Sequence, residues 1–314
     1  MTNGVDLSVV TVSWNSRDEL GVCVRSVAQS AAPLTFEHVL VDNASTDGSA
    51  DLVEREFPHV IVIRNEKNLG FSRANNRGAR GSRGRYVLFL NADTEALADA
   101  LPRMVAEMDR HPDIGILGPK LLNAAGIWSR DMGDRLPTLR TVANTHLGLD
   151  HLRPAGLFRG IVRNADFDAL HDCGWVCGAS LMVRRDVLER DLWREDIFFF
   201  GEDVEYCDRV RRHGFRVCMT PDARIIHYSG KSMAKQSVDF LSGRSSGLAL
   251  YLRETKGPVT AWAAVRVIRL GYWLRSMRFR LAYQLAGTPA SLQKDQRVQQ
   301  YMQLDRRPRP VKEV

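Results

Sequence analysis

The stretch VLFLNADTEALADAL, Val87 to Leu101, opens as an unbroken apolar run and then sets Asn91, Asp93, Thr94 and Glu95 where that run stops. A short apolar run without polar alternation reads as a strand covered on both faces, the habit of parallel sheets flanked by helices. The strand itself reads YVLFLN (Tyr86 to Asn91), and four more runs share its character: LSVVTV (Leu7 to Val12), HVLVD (His38 to Asp42), VIVIR (Val60 to Arg64) and IGILGPK (Ile114 to Lys120). Helical patterns lie between them, near Arg17 to Gln29, Ser49 to Phe57, Ser72 to Arg80 and Asp99 to Arg110. Strand and helix in alternation predict an α/β chain with a mainly parallel sheet and right-handed crossovers. Such sheets bind ligands beyond the carboxyl ends of their strands. Polar residues collect there: Ser13, Trp14 and Asn15 after the first strand, Asp42 and Asn43 after the second, Asn91 and Asp93 after the fourth.

With 314 residues, 44% of them hydrophobic, the chain can bury a full core in one large domain or in a domain with an extension. The net charge of +7 invites a nucleic-acid reading. That charge is localised, because residues 252–314 hold thirteen Lys and Arg against four Asp and Glu, which leaves the preceding 251 residues slightly acidic. A near-neutral body argues against nucleic acid as a partner. The cysteines Cys23, Cys173, Cys177, Cys207 and Cys218 are odd in number and match neither a zinc ribbon nor a disulfide framework, so they read as reduced thiols. Cys173 and Cys177 form a C-x3-C pair, but no second pair follows. No basic segment leads into a long apolar stretch at the N-terminus, and no run reaches the roughly 18 to 20 apolar residues of a membrane span. A cytoplasmic protein is expected.

A dinucleotide fold would place G-x-G-x-x-G directly after the first strand, but VSWNSRDEL stands there instead, with no glycine before Gly21. A P-loop is also absent. A diphosphate bound at this edge would need its charge met another way, and a divalent cation held by carboxylate meets it.

Seven stretches, in this order, resemble the inverting glycosyltransferases of family 2, and particularly their rhamnosyltransferase-like branch: VVTVSWNS, VDNASTDGS, NEKNLGFSRANNRGA, FLNADT, WVCGASLMVRR, FFFGEDVEYCDRVRRHGF and IIHYSGKS. They extend from about Leu7 to about Ser232, roughly three quarters of the chain. The resemblance implies the GT-A fold, a Rossmann-like, mainly parallel sheet that binds nucleotide-diphosphate sugars, here over residues 1–235 with a basic helical extension over 236–314. It also implies a divalent cation, Mg2+ or Mn2+, as cofactor, and a nucleotide-diphosphate sugar and a glycan or glycolipid acceptor as partners.

Residue by residue, Ser13, Asn15, Asp42 and Asn43 would line the donor pocket, the family's matching Asp accepting a hydrogen bond from the imide NH of the pyrimidine base. Gly70 and Phe71 would pass close to the nucleotide, with Asn75 in the same pocket. FLNADT matches the family's short acidic motif. It departs from D-x-D by having Asn91 first, so Asp93 becomes the direct metal ligand and Asn91 supports the ribose or a metal-bound water. The family's histidine at His227 completes the metal site, and Lys231 and Ser232 would approach the diphosphate. In the match to the family's E-D motif, Asp203 is the base that takes the acceptor's proton, Glu202 bonds the acceptor sugar, and Phe198 to Phe200 form a dry wall. Trp175 would stack on a sugar ring, and Gly178 leaves room for the acceptor.

Plainer readings stand beside these. Ser45 to Asp47 make a good N-cap region, Asp93 would cap a helix over EALADAL, and Trp175 would be a packed core residue. Asn75, Asn76 and Arg77 suit a solvated face, as do Glu205 and Asp208 with Arg209 and Arg212. Glu202 and Asp203 would complement a helix dipole, worth about 0.3–1 kcal/mol, which explains acids there but not an acid pair behind an aromatic run. Asp42 lacks such a reading, because an acid ending a buried strand is costly unless it is bonded.

Residues 123–172 carry only a weak pattern, like the variable acceptor loops of such enzymes. Ala261 to Leu285 is helical in propensity, with Trp262, Arg266, Arg269, Trp273 and Arg280 on one side and Arg275 and Arg278 elsewhere. Trp and Arg together suit an anionic membrane surface at the inner face of the cell membrane, where a lipid-linked acceptor would be presented. The expected function is metal-dependent, inverting transfer of one sugar, with dTDP-rhamnose as leading donor, to a cell-envelope or polysaccharide glycan. A catalytically dead, membrane-docked scaffold and a sugar nucleotidyltransferase are the competing readings. The nucleotidyltransferase is disfavoured by the missing Gly-rich loop.

Overall fold

The computed structural model describes residues 4–129, 133, 135–149, 160–161, 167–197, 201–228 and 239–285. The chain divides into two compact units, one of Met1–Asp134 with Ala165–Ser232 and the other of Arg135–Asn164 with Met233–Val314.

The first unit is built on one sheet. Its N-terminal part comprises β1 (Leu7–Ser13), β2 (Phe36–Asp42), β3 (Val60–Arg64) and β4 (Tyr86–Asn91), mutually parallel in the order β3-β2-β1-β4. Helices α1 (Arg17–Ser30), α2 (Ser49–Glu56) and α3 (Phe71–Arg80) connect these strands, as the alternation predicts. Leu20 and Val24 of α1 and Val53 of α2 pack with Leu40, Phe57, Val60 and Ala92 in one buried cluster. On α3, Gly78 lets the helix close on the sheet, because a Cβ there would lie 2.5 Å from Val10 Cγ1. The parallel register pairs Ser13 with Asp42 and Val12 with Asn91, so three strands end at one edge.

The remaining strands make the sheet mixed. They are β5 (Thr94–Ala96), β6 (Ile114–Leu122), β7 (His171–Asp172), β8 (Ser180–Arg184) and β9 (Arg216–His227), with the order continuing β4-β8-β6-β9-β5 and β7 pairing β9. Strand β8 enters antiparallel between β4 and β6. Among the described residues no single crossover helix leads from β4 directly to β8, so its direction is free of the rule that makes β1 to β4 parallel. Helices α4 (Ala100–Arg110), α6 (Arg185–Arg190) and α7 (Glu202–Arg212) complete the described part of this unit.

One local expectation holds with the cap position shifted by one residue, and one is corrected. Gly48, at φ 80°, is the N-cap of α2, and the carboxylate of Asp47 acts from the position before it, accepting bonds from Ser49 N and Arg17 N at 3.0 Å each. Asp93 caps no helix. Strand β5 follows it, α4 begins only at Ala100, and Asp99 holds the N-cap position.

In the second unit lie α5 (Leu139–His146), α8 (Asp239–Lys256) and α9 (Pro258–Leu285). Thr138 and Thr141 form a reciprocal capping box at the start of α5. Gly271 allows α9 to touch its end, since a Cβ there would sit 2.2 Å from His146 O. Tyr272 stacks edge-on to the His146 ring at 5.9 Å.

Candidate functional site

At the shared edge of β1 and β2, Ser13 Oγ and Asp42 Oδ1 are both buried without a hydrogen-bond partner among the described residues. The other carboxylate oxygen of Asp42 accepts from Ser45 N at 3.1 Å. Such orphaned groups cost about 1–3 kcal/mol each unless a ligand or water satisfies them. Asn15, at φ 52°, accepts from Thr46 N through Oδ1 at 2.8 Å and donates its own N–H to Ser45 Oγ at 2.9 Å. It therefore folds the 44–47 loop over this edge.

Asn43 is fully engaged within the protein. Its Oδ1 accepts from Asn65 Nδ2 and Leu69 N at 2.9 Å each, and its Nδ2 donates to Asn68 Oδ1 at 2.8 Å. It shapes the loop that leads to Gly70, which at φ 82° is the N-cap of α3. Asn75 is buried and donates to Phe71 O at 3.1 Å. Asn76, expected on a solvated face, is buried instead. Its amide makes a two-way bond with the backbone of Trp193, donating to the carbonyl at 2.8 Å and accepting from the N–H at 2.9 Å.

The short turn after β4 carries Asp93 to the end of β9. Thr94 pairs with His227 in the antiparallel register, and Tyr228 N donates to Asp93 O at 2.9 Å. Asp93 Oδ1 and His227 Nε2 are thereby held 3.3 Å apart, with side chains 9% and 12% exposed. Residues separated by more than a hundred positions in sequence thus meet as one oxygen and one nitrogen donor, a donor set that suits a divalent cation whose other positions are filled by water and phosphate. No group of three His, Cys, Asp or Glu that could hold a metal occurs among the described residues. Cys23 lies beside this turn, its thiol 3.5 Å from Asn91 O. Burial pushes that thiol up to about 12, so it stays protonated. None of the five cysteines is in a disulfide.

Asn91 N donates to Ala179 O at 3.0 Å, joining the end of β4 to the turn before β8. One residue earlier, Gly178 N donates to Asp203 Oδ2 at 3.1 Å, while Asp203 Oδ1 accepts from Val204 N at 2.8 Å. A Cβ on Gly178 would lie 3.3 Å from the Phe71 ring and 3.7 Å from Asp203 Cβ, so Gly178, Phe71 and Asp203 share one small space. Asp203 sits in the first turn of α7 behind the N-cap Gly201, at φ 92°. Trp175 is buried. Phe198 to Phe200, Lys231 and Ser232 lie outside the described residues.

Glu202 points inward. It is 5% exposed, and its Oε2 has no partner among the described residues. Burial, with the neighbouring Asp203 charge adding to it, pushes its carboxyl well above the ordinary carboxylate range. The folded state therefore binds this proton more tightly than the unfolded chain, and the stabilisation is complete below the ordinary Glu range and lost as pH rises toward the raised value. Glu202→Gln is expected to raise Tm at neutral pH by about 2–4 °C, the shift that 1 kcal/mol gives a domain of this size, with the gain vanishing in acid. Melting curves across pH check this, and a Tm difference independent of pH would contradict it.

Glu205 is also buried, contrary to the solvated face expected for it. Arg209 pairs with it at 2.9 Å and with Asp191 at 2.7 Å, and lies over the Tyr206 ring. This network fastens α7 to the segment that carries Trp193. Trp193 was not singled out from the sequence. It is nearly inaccessible and contacts Phe71, Phe89 and Tyr206 at ring separations of 5.5, 5.2 and 4.8 Å. Its signal in the sequence was a large aromatic nine residues before the acid pair.

Residues 8–190 match the sequence pattern of the family described as Glycosyl transferase family 2. The chain is 23% identical over 293 residues to the N-acetylglucosaminyl-diphospho-decaprenol L-rhamnosyltransferase of Mycobacterium tuberculosis, covering 89% of this chain and 90% of that protein. The mannosyltransferase PcManGT from Pyrobaculum calidifontis, solved with GDP-Man and Mn2+, matches with a TM-score of 0.55 at 16% identity, over 96% of this chain and 86% of that one. S. aureus TarS 1-349 in complex with UDP-GlcNAc matches with a TM-score of 0.51 at 18% identity, over 95% and 79%. Of a longer TarS chain, this chain spans 40%. At these identities the structural likeness shows the fold, which is GT-A. With more than half of its length matching the family pattern, this chain belongs to glycosyltransferase family 2 and is a glycosyltransferase.

Proposed function

We propose that the protein transfers one sugar, with inversion, from a pyrimidine nucleotide diphosphate to a lipid-linked cell-envelope glycan, with rhamnose from dTDP-rhamnose as the leading donor. The observation that carries this reading is the meeting of Asp93 and His227 at 3.3 Å beside a strand edge whose Ser13 and Asp42 are buried and orphaned. The buried, orphaned Oδ1 of Asp42 supports a pyrimidine donor, since it would accept an imide N–H, which uracil and thymine both offer. Asp93 and His227 would hold the divalent cation, which when bound neutralises charge on the leaving diphosphate. Asp203 takes the proton from the acceptor hydroxyl, kept in position by the N–H groups of Gly178 and Val204. Phe71 and Gly178 bound the space beside it. Rhamnose and the lipid-linked acceptor rest on similarity to a relative whose name specifies both.

The test is transfer to a short-chain polyprenyl diphosphate glycan, with dTDP-rhamnose and a panel of UDP-sugars and GDP-sugars, in Mn2+. A product from a pyrimidine donor, with anomeric configuration opposite to the donor's, is the expected result. Transfer from GDP-sugars alone, or with retained configuration, would overturn it.

A further inference from the structure

The last helix among the described residues, α9, presents two apolar faces. Ala261, Ala264 and Ile268 form the buried one. On a projection at about 100° per residue, Trp262, Leu270, Trp273, Leu274, Met277 and Leu281 fall within an arc of about 120° centred opposite them. All six are exposed, Trp262 at 61%, Trp273 at 46% and Leu281 at 51%. The apolar residues divide between opposite sides, which is why the sequence shows no single clean apolar stripe here.

We infer that this outer face of α9 is a docking surface for an anionic lipid bilayer, lying in the headgroup plane. The occupant follows from charge. Across its 28 residues α9 carries five Arg and no Asp or Glu. Arg266 and Arg269 are exposed within or beside the apolar arc, and Arg278 flanks its other side. Arg266 stacks over the Trp262 ring, 5.0 Å from its centroid, so charge and apolar surface form one patch. A second copy of the same face would set these arginines against their own like, which disfavours self-association. Anionic headgroups complement them, and Trp at the border of the acyl region is favourable. At about 1.5 Å per residue the helix is about 42 Å long and would lie along the surface. No described helix is long and apolar enough to cross a membrane. The inference deepens the proposed lipid-linked acceptor by bringing the enzyme to the membrane where that acceptor resides, but its test needs no turnover.

The 314-residue chain is sedimented with vesicles of phosphatidylcholine alone and of phosphatidylcholine with phosphatidylglycerol. Partitioning onto the phosphatidylglycerol vesicles is expected, lowered about tenfold by Trp262→Ser with Trp273→Ser and also by Arg266→Glu with Arg269→Glu. These exposed positions leave the melting temperature in place, which separates lost docking from lost folding. Absence of binding to anionic vesicles, equal binding by the variants, or a concentration-dependent dimer abolished by the Trp substitutions would overturn the inference. Loss of transfer with vesicle binding intact would count against the proposed function alone.

Discussion

Asp203→Asn is expected to slow sugar transfer by about 10²–10⁴-fold, the usual contribution of a general base, and to leave nucleotide binding unchanged. The substitution keeps the shape of the side chain and removes its ability to take a proton. Asp203 is fixed by two backbone N–H groups, Gly178 N at 3.1 Å and Val204 N at 2.8 Å, and the first turn of α7 holds it from below. An asparagine oxygen keeps one of these bonds, so the local fold is disturbed little. Initial rates and donor dissociation constants measured on the same preparations separate chemistry from binding. Unchanged transfer would remove Asp203 from the mechanism.

Asp93→Ala is expected to weaken Mn2+-supported binding of the nucleotide diphosphate by about 100-fold, the loss of a charge-assisted interaction worth about 3 kcal/mol. The geometry specifies a control. If Asp93 and His227 act together on a cation, EDTA reproduces the loss in the wild type and adds little to the variant, because both treatments remove one interaction. His227→Ala should behave likewise. Additive losses from EDTA and Asp93→Ala would show that Asp93 acts on the nucleotide by another route.

Much of the site-bearing half of the sheet was legible in the sequence. Strands β3 and β4 begin and end where their apolar runs do, and α1 starts at Arg17 as its pattern indicates. For β4 the legibility has a physical source, since a strand buried on both faces tolerates almost no polar residue and its ends are therefore marked. By contrast, β3 lies at the sheet edge with Ile61 45% exposed, contrary to the two-sided cover expected of its apolar run. The crowding of polar residues after β1, β2 and β4 follows from their parallel register. Other features depended on contacts that local sequence does not encode. The antiparallel entry of β8 is set by its neighbours β4 and β6. The burial of Glu205 requires Arg209 and Asp191 together, and the latter lies in another segment. Asn43 and Asn76 look like available polar groups, yet their amides are taken up by the loop before Gly70 and by the Trp193 backbone. Trp193 itself gave no periodic signal, because an isolated aromatic in a short loop has no repeat to reveal it.

The most direct test is a calorimetric titration of the protein with UDP, dTDP and GDP, each in Mn2+ and again in EDTA. Binding of a pyrimidine diphosphate that needs the metal, with GDP markedly weaker, is the predicted result, because the proposal gives Asp42 the pyrimidine imide and Asp93 with His227 the cation. Binding indifferent to EDTA, a preference for GDP, or no binding of any of the three would contradict it.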